Sequence, residues 1–411
     1  MKLNTNKSAR FQLYVIAQCI VMLNCFLCFL KIYETHLISV SYGLIGIAIV
    51  LFMISGVFCN FRFSVIPVSF MVLFAYLLLG DIINSNLGTF TSSMCLSGLA
   101  LFFFFSFFHD GVDSVGQSLS AVLLTALLTE VVISAFSLIS GLRDTMGLLE
   151  GITVQRNSLA AYATAGIVSS FFLFDIKKIF SIRNILLVIA LLFSAYTLML
   201  TKSRTPLMVL FTFSFVICLF FVREIIALRL NKRAVYAIFI VLCLIAIVAV
   251  LFFIINRNNI SGETLSLRSI LNIISSGRLD IWEVCLKLTA ESPLFGLNDG
   301  HYDEVMMSSL GVIHSPHNVY FSLMTINGIP ALLIYLFIIG YTLVSGIRTI
   351  GKMSSVEEKH RVYLCLAVLC GYLVGDFFEC FSIRSYMPSA YIVILMFAAL
   401  EAERLRYAEK V

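Results

Sequence analysis

Four short clusters hold most of the polar groups able to do chemistry in an otherwise apolar chain. The first is Lys202-Ser203-Arg204-Thr205-Pro206, two cations on a tight hairpin. Either their stems lie along apolar surface with the heads in water, or they form an anion site. The second is Ser276-Gly277-Arg278 with Asp280, Trp282 and Glu283. An arginine in a helix's first turn is opposed by the macrodipole. Arg278 therefore either pairs with Asp280, Glu283 or another acid, or sits beside an anion that the helix N-terminus also attracts. Its fork can give two parallel hydrogen bonds to a phosphate. The third is His314-Ser315-Pro316-His317-Asn318, which holds two of the chain's six histidines. Pro316 breaks the helix that would align both rings on a metal, and no acid stands at ligand spacing. An imidazole at a water boundary suits a general base. The alternative is a helix cap, a role Asn318 fills equally well. The fourth is Asp376-Phe377-Phe378-Glu379, followed by Arg384. These acids either pair with the arginines or orient a catalytic histidine.

The elements that must position these clusters are transmembrane helices. Of 411 residues, 60% are hydrophobic and only 12% are charged. Mean hydropathy is +1.00. A water-soluble domain cannot hide that much apolar surface. A crossing takes about 20 apolar residues, and such runs fall at 11–30, 37–57, 63–83, 91–108, 118–140, 158–174, 185–201, 205–222, 234–256, 318–341, 362–380 and 387–402. The fold class expected is an all-α polytopic membrane protein of about 12 transmembrane helices, because lipid-embedded backbone must satisfy itself and short alternating strands are missing. Lys2, Lys7 and Arg10 precede the first run, which no small-residue cleavage site follows, so it reads as a retained helix.

With both termini cytoplasmic, 18 of the 28 Lys and Arg face inward, and only 6 lie in short outer segments. The other four (Arg257, Arg268, Arg278 and Lys287) fall in the long loop, which translocates with little regard to charge. The domain organisation expected is therefore 1–256 with nine helices, 257–316 as an extracytoplasmic loop, and 317–411 with three helices. Within the loop, Arg278 to Ala290 is amphipathic, with Leu279, Trp282 and Leu286 on one stripe and Ile281, Cys285 and Leu288 beside it. Ser275 or Ser276 would cap it and Ser292-Pro293 would stop it; it is expected to lie on the outer membrane face, with the single tryptophan at the interface.

Location narrows the chemistry. All four clusters fall at the outer rim, where no nucleotide pool exists, and the chain has neither a DxD nor a GxxxxGK[ST] motif. A donor at that rim is membrane-borne and already activated. Arg204 and Arg278 would neutralise a lipid-diphosphate leaving group, and His317 would take the proton of an attacking hydroxyl. A diphosphate leaves as a weak base, so no general acid, metal or cofactor is required. The basic residues form no face suited to nucleic acid, and the 11 cysteines lie mostly inside apolar runs, with no disulfide or zinc pattern. A secondary transporter of twelve helices is the rival class. It predicts similar halves, a central inner loop and polar groups at mid-depth, none of which the sequence displays.

The run Thr-Lys-Ser-Arg204-Thr-Pro-Leu, then Ser-Gly-Arg278-Leu-Asp-Ile-Trp282 with Ser-Pro293-Leu-Phe-Gly296, then His317-Asn318, resembles the O-antigen ligase and O-antigen polymerase superfamily. The resemblance is sharp over about 200–330, with a core region at 200–345. The ligase signature of His-Asn, nine residues, Gly, two residues, then Gly, Thr or Tyr is met through Gly328 and departs at Ala331. The resemblance implies metal-independent, inverting glycosyl transfer at the periplasmic or outer face of the bacterial inner membrane. The donor would be an undecaprenyl-diphosphate-linked glycan. The acceptor would be another lipid-linked repeat unit in a polymerase, or lipid A-core in a ligase. Arg204 and Arg278 would bind the diphosphate and His317 would activate the acceptor. Asn318 and Asp376 are expected to support substrate binding. Ala331 tilts the reading toward polymerase.

Overall fold

The computed structural model describes residues 2–28, 30–31, 38–55, 64–84, 114–175, 178, 180–227, 278–311, 315–354, 356–380 and 388–408. The expected spans 91–108 and 234–256, Ser275 to Gly277, His314 and Arg384 lie outside them. The described residues form thirteen helices: α1 Lys2–Leu27, α2 Ile38–Ser55, α3 Val65–Ile83, α4 Ser114–Ser140, α5 Arg156–Leu173, α6 Ile182–Thr201, α7 Thr205–Ala227, α8 Leu279–Glu291, α9 Asn298–Leu310, α10 Val319–Asn327, α11 Ile329–Ile350, α12 Val356–Gly375 and α13 Pro388–Ala408. Pairing outside helices is limited, among the described residues, to two isolated bridges, Leu30–Thr153 and Arg143–Leu149.

This is a helical membrane protein. Among the described residues, five helices are long and apolar enough to cross a bilayer: within α1, α3, α4, α6 and α11. They carry large apolar side chains on the outside, among them Ile82, Ile139, Leu192, Met199 and Leu333, which suits lipid and not water. The helices at the centre read as less apolar because they face protein. Nearly every side chain of α13 from Pro388 to Glu403 is buried, and α5 packs through alanine and serine. One carboxyl departs from the rim pattern expected from sequence. Glu130, midway along α4, is fully buried and accepts hydroxyl hydrogen bonds from Ser134 and from Ser194 of α6, both at 2.7 Å.

The helix ends sort into two groups. At one end, the C-termini of α1, α4, α6 and α12 meet the N-termini of α5, α7 and α10. Lys31 N–H donates to the Ile152 carbonyl at 2.9 Å, Leu149 N–H to the Leu200 carbonyl at 3.4 Å, and Val319 N–H to the Asp376 carbonyl at 2.9 Å. At the other end, Arg361 pairs with Glu403 at 2.5 Å and Arg406 with Glu358 at 2.6 Å, locking α12 to α13. Arg183 there donates to the Leu173 carbonyl at 3.0 Å, joining α6 to α5.

Two expectations change. The single span read at 318–341 is two helices, α10 and α11, which meet at Gly328. Gly328 has φ +91°, and a Cβ there would stand 1.8 Å from the Leu294 carbonyl oxygen. The chain breaks because the Ser292–Gly296 strap crosses it. Ile329 N–H donates to the Pro293 carbonyl at 2.8 Å, and Leu297 N–H to the Thr325 carbonyl at 3.1 Å. Hydropathy is blind to such a break, since both helices are apolar. The second change concerns α8, which runs Leu279–Glu291 and takes Arg278 itself as N-cap residue. Its stripe of Ile281, Cys285 and Leu288 packs against Tyr302 and Met306 of α9 and Ile326 of α10. Leu286 remains exposed. The sequence held no signal for α9, whose polar Asn298–Leu310 run lacks a strong apolar stripe.

Candidate active site

The site is built around the turn that follows α12. After the helix ends at Gly375, residues Asp376 to Glu379 present four successive acceptors. The Asp376 carbonyl takes Val319 N–H. The Phe377 carbonyl takes Asn318 Nδ2 at 3.1 Å. The Phe378 carbonyl takes Arg278 Nη1. The Glu379 carboxylate then gathers the charged groups: Oε1 lies 2.7 Å from His317 Nδ1, and Oε2 lies 3.4 Å from Arg278 Nη2 and 3.2 Å from Asn157 Nδ2. Arg278 and His317 are 101 and 62 residues distant in sequence from Glu379, the acceptor they share.

His317 owes its place to its neighbours. It sits at φ +48°, a left-handed conformation uncommon for a side-chain-bearing residue. Asn318, buried behind it, caps α10 by accepting from Tyr320 N–H at 2.9 Å and Phe321 N–H at 3.1 Å. Trp282 Nε1 donates to the Pro316 carbonyl at 3.0 Å, while its ring stacks on Phe321 at 5.4 Å between centroids. The indole thus pins the loop that carries the histidine.

The electrostatics follow from one carboxylate shared by two cations. Burial would raise the Glu379 carboxyl, but hydrogen bonding and charge from His317, together with Arg278, outweigh it and hold Glu379 below the usual carboxylate range. Glu379 is therefore an anion at neutral pH and can only accept. The His317 nitrogen facing it, Nδ1, therefore donates, and in the neutral form of the ring Nε2 is the nitrogen left with a lone pair. The His317 side chain is 32% exposed against 11% for Glu379, so the imidazole is reachable while the carboxylate is sheltered. A nucleophile-activating imidazole held by a sheltered carboxylate is the arrangement of general-base enzymes.

Arg278 and His317 thus come together on Glu379. Arg204 is exposed on the α6–α7 hairpin, which Lys202 closes in a left-handed conformation. Its neighbour Ser203 is buried and donates to Asn157 Oδ1 at 3.0 Å, so the hairpin stands two hydrogen bonds from Glu379. Asp376 is fully buried, and its backbone rather than an exposed carboxylate serves the site. Asn318 spends its side chain on the α10 cap and the Phe377 carbonyl. Sequence reasoning named Glu379 in its cluster but took Asp376 as the supporting acid, and it missed Asn157 altogether. The signal for Glu379 was its place three residues beyond Asp376, past the helix end; for Asn157 there was none. Among the described residues, no three His, Cys, Asp or Glu side chains gather in a way that could hold a metal ion.

With this geometry in place, the comparison with known families is decisive over the middle of the chain. Residues 189–336 match the O-antigen ligase family. No curated protein matches the chain. The match bears out the superfamily resemblance seen in the motifs, since the O-antigen ligase segment contains Arg204, Arg278, His317, Asn318 and Gly328. Over that segment the chain is similar to the O-antigen ligase family, which ties it to O-antigen assembly. Gly296 and Gly328 of the segment make the strap crossing: Gly296 has φ +67°, and a Cβ on it would stand 2.2 Å from the Ile326 carbonyl. Asn157 and Glu379 both fall outside the O-antigen ligase segment.

Proposed function

We propose that this protein is an O-antigen or capsular polysaccharide polymerase. It transfers a glycan from undecaprenyl diphosphate to a sugar hydroxyl of another lipid-linked repeat unit. The observation that carries the reading is Glu379, which holds His317 Nδ1 on one oxygen and Arg278 on the other. The proposed topology has twelve spans, cytoplasmic termini, and the end bearing Glu379 on the extracytoplasmic side of the inner membrane. The donor and acceptor lipids then reach the site from the outer leaflet.

The acceptor hydroxyl oxygen attacks the anomeric carbon of the donor as its proton passes to His317 Nε2. The carbon–oxygen bond to the diphosphate breaks with inversion, and undecaprenyl diphosphate leaves carrying the electron pair. Arg204 and Arg278 offset its charge. Glu379 stabilises the imidazolium, which then returns its proton to water. The ligase reading, with lipid A-core as acceptor, draws on the family matched at 189–336; Ala331 weighs toward the polymerase.

A deletion strain separates the two acceptors. Loss of a polymerase leaves single repeat units on the final acceptor, whereas loss of a ligase leaves full-length chains on the carrier lipid. Complementation with His317→Ala is expected to restore nothing while undecaprenyl diphosphate still binds, and transfer is expected to persist in a chelator. Restored polymer from His317→Ala, or inhibition by the chelator, defeats the mechanism.

A further inference from the structure

Asn157 stands where two parts of the site meet. It lies in the first turn of α5, a helix with fourteen of its eighteen residues buried, so its backbone is firmly seated. Tyr162 on the next turn donates to the Phe26 carbonyl at 2.9 Å and ties that end to α1. The amide of Asn157 spans a gap between the α6–α7 hairpin and the turn after α12. Ser203 Oγ donates to its Oδ1 at 3.0 Å, and its Nδ2 donates to Glu379 Oε2 at 3.2 Å. Its orientation follows from its partners, because a carboxylate accepts and cannot donate.

We propose that Asn157 is a positioning residue of the transfer reaction, holding Glu379 and through it the His317 ring, and tying the Arg204 hairpin to the same carboxylate. This inference rests on the reading of His317 as base. Among the described partners of Glu379, Asn157 is the one that cannot ionise. Arg278 and His317 both have a second task, on the diphosphate and on the acceptor proton. Asn157 has none, so it keeps Glu379 in place as the charges around it change. The ionisable groups nearby are Arg278 and His317 on Glu379, Lys202 and Arg204 flanking Ser203, Asp376 in the same turn, and Arg156, which pairs with Asp144 at 3.4 Å.

The test uses Asn157→Asp beside Asn157→Ala. Aspartate keeps the shape and the acceptor for Ser203, but turns a second carboxylate toward Glu379. Two carboxylates in contact hold a proton between them as pH falls, and the shared proton restores a donor. Full-length variants are assayed in membranes that supply the lipid-linked repeat units of the source strain, with polymer read as a ladder from about pH 8 to about pH 5. Asn157→Ala is expected to lose about ten-fold in kcat, the worth of one charge-assisted hydrogen bond. Asn157→Asp is expected to be at least as slow at the upper pH, and the Asp-to-Ala activity ratio is expected to rise several-fold toward the lower. The ratio cancels the protonation of His317, which both variants share. Ser203→Ala is expected to raise the donor KM with kcat nearly kept.

Wild-type activity in Asn157→Asp at every pH means packing alone, and overturns the proposal. A flat ratio with both variants slow overturns it too. His317→Ala in the same membranes tells the two ideas apart: if it remains active, the base reading itself has failed, and if it is dead while Asn157→Asp is normal, only the role of Asn157 has. Should Asn157→Ala fold poorly, the isosteric Asn157→Asp decides alone.

Discussion

Replacing Glu379 by glutamine is the sharpest probe of the site, because it changes charge and donor pattern with almost no change in shape. Glu379 accepts from three sides: His317 Nδ1 at 2.7 Å, Arg278 Nη2 at 3.4 Å and Asn157 Nδ2 at 3.2 Å. Glutamine has one oxygen and one NH2. If its oxygen faces His317, its NH2 confronts two donors. If its NH2 faces His317, the ring must accept at Nδ1 and carry its proton at Nε2, where it can no longer act as base. Loss of a hydrogen bond to a charged group costs about 1.5–3 kcal/mol, or roughly 10- to 150-fold in rate. Trapping the wrong tautomer in a comparable triad costs up to about 10⁴-fold. Since Glu379 is 11% exposed, water offers little replacement for the lost partner. The expected result is a kcat reduced by about 10²- to 10⁴-fold. The assay is turnover of lipid-linked repeats in nanodiscs, with polymer resolved on gels and folding checked by thermal melting. A variant within two-fold of wild type would show that Glu379 does not orient the base.

Arg278→Lys keeps the charge but not the fork that reaches both the Phe378 carbonyl and Glu379. It is expected to raise the donor KM by about ten-fold, read from initial rates against lipid-linked repeat concentration. Gly328→Ala places a methyl 1.8 Å from the Leu294 carbonyl at φ +91°. It is expected to destabilise by about 3 kcal/mol or more and to separate the strap from α10, seen as a lower melting temperature and faster proteolysis near Leu294. The depressed Glu379 carboxyl sets a pH dependence. Its contribution to stability is complete above the ordinary carboxylate pKa of about 4.3 and is lost as pH falls through the lower folded value. Melting curves of wild type and Glu379→Gln should therefore differ by a constant amount at neutral pH and converge only in acid below that range.

Much of the frame was legible because lipid imposes it. Runs of apolar residues can only be helices there, and α1 to α7 begin or end within a few residues of the hydropathic spans, apart from the charged first turns of α1. What escaped was whatever depends on contact between distant segments. Hydropathy joined α10 to α11, because only the Leu294 carbonyl pressing on Gly328 reveals the break. Amphipathicity identified α8 but not what covers it, and lipid and the α9–α10 surface are equally apolar. In the site, Arg278, His317 and the hairpin were recognisable by residue type. The choice between Asp376 and Glu379 turned on where α12 stops, and Asn157 is an ordinary amide until Glu379 is beside it.

The bond from Asn157 to Glu379 bridges 222 residues of chain. A ribosome feeding this protein into the bilayer therefore has to pass residue 379 before the imidazole acquires its acid. Nascent products that end between residues 317 and 379 carry both arginines and the histidine yet lack the carboxylate that holds Nδ1. On the proposed mechanism, a chain stalled or clipped before residue 379 is expected to be inert, unable to consume carrier lipid in unfinished transfers.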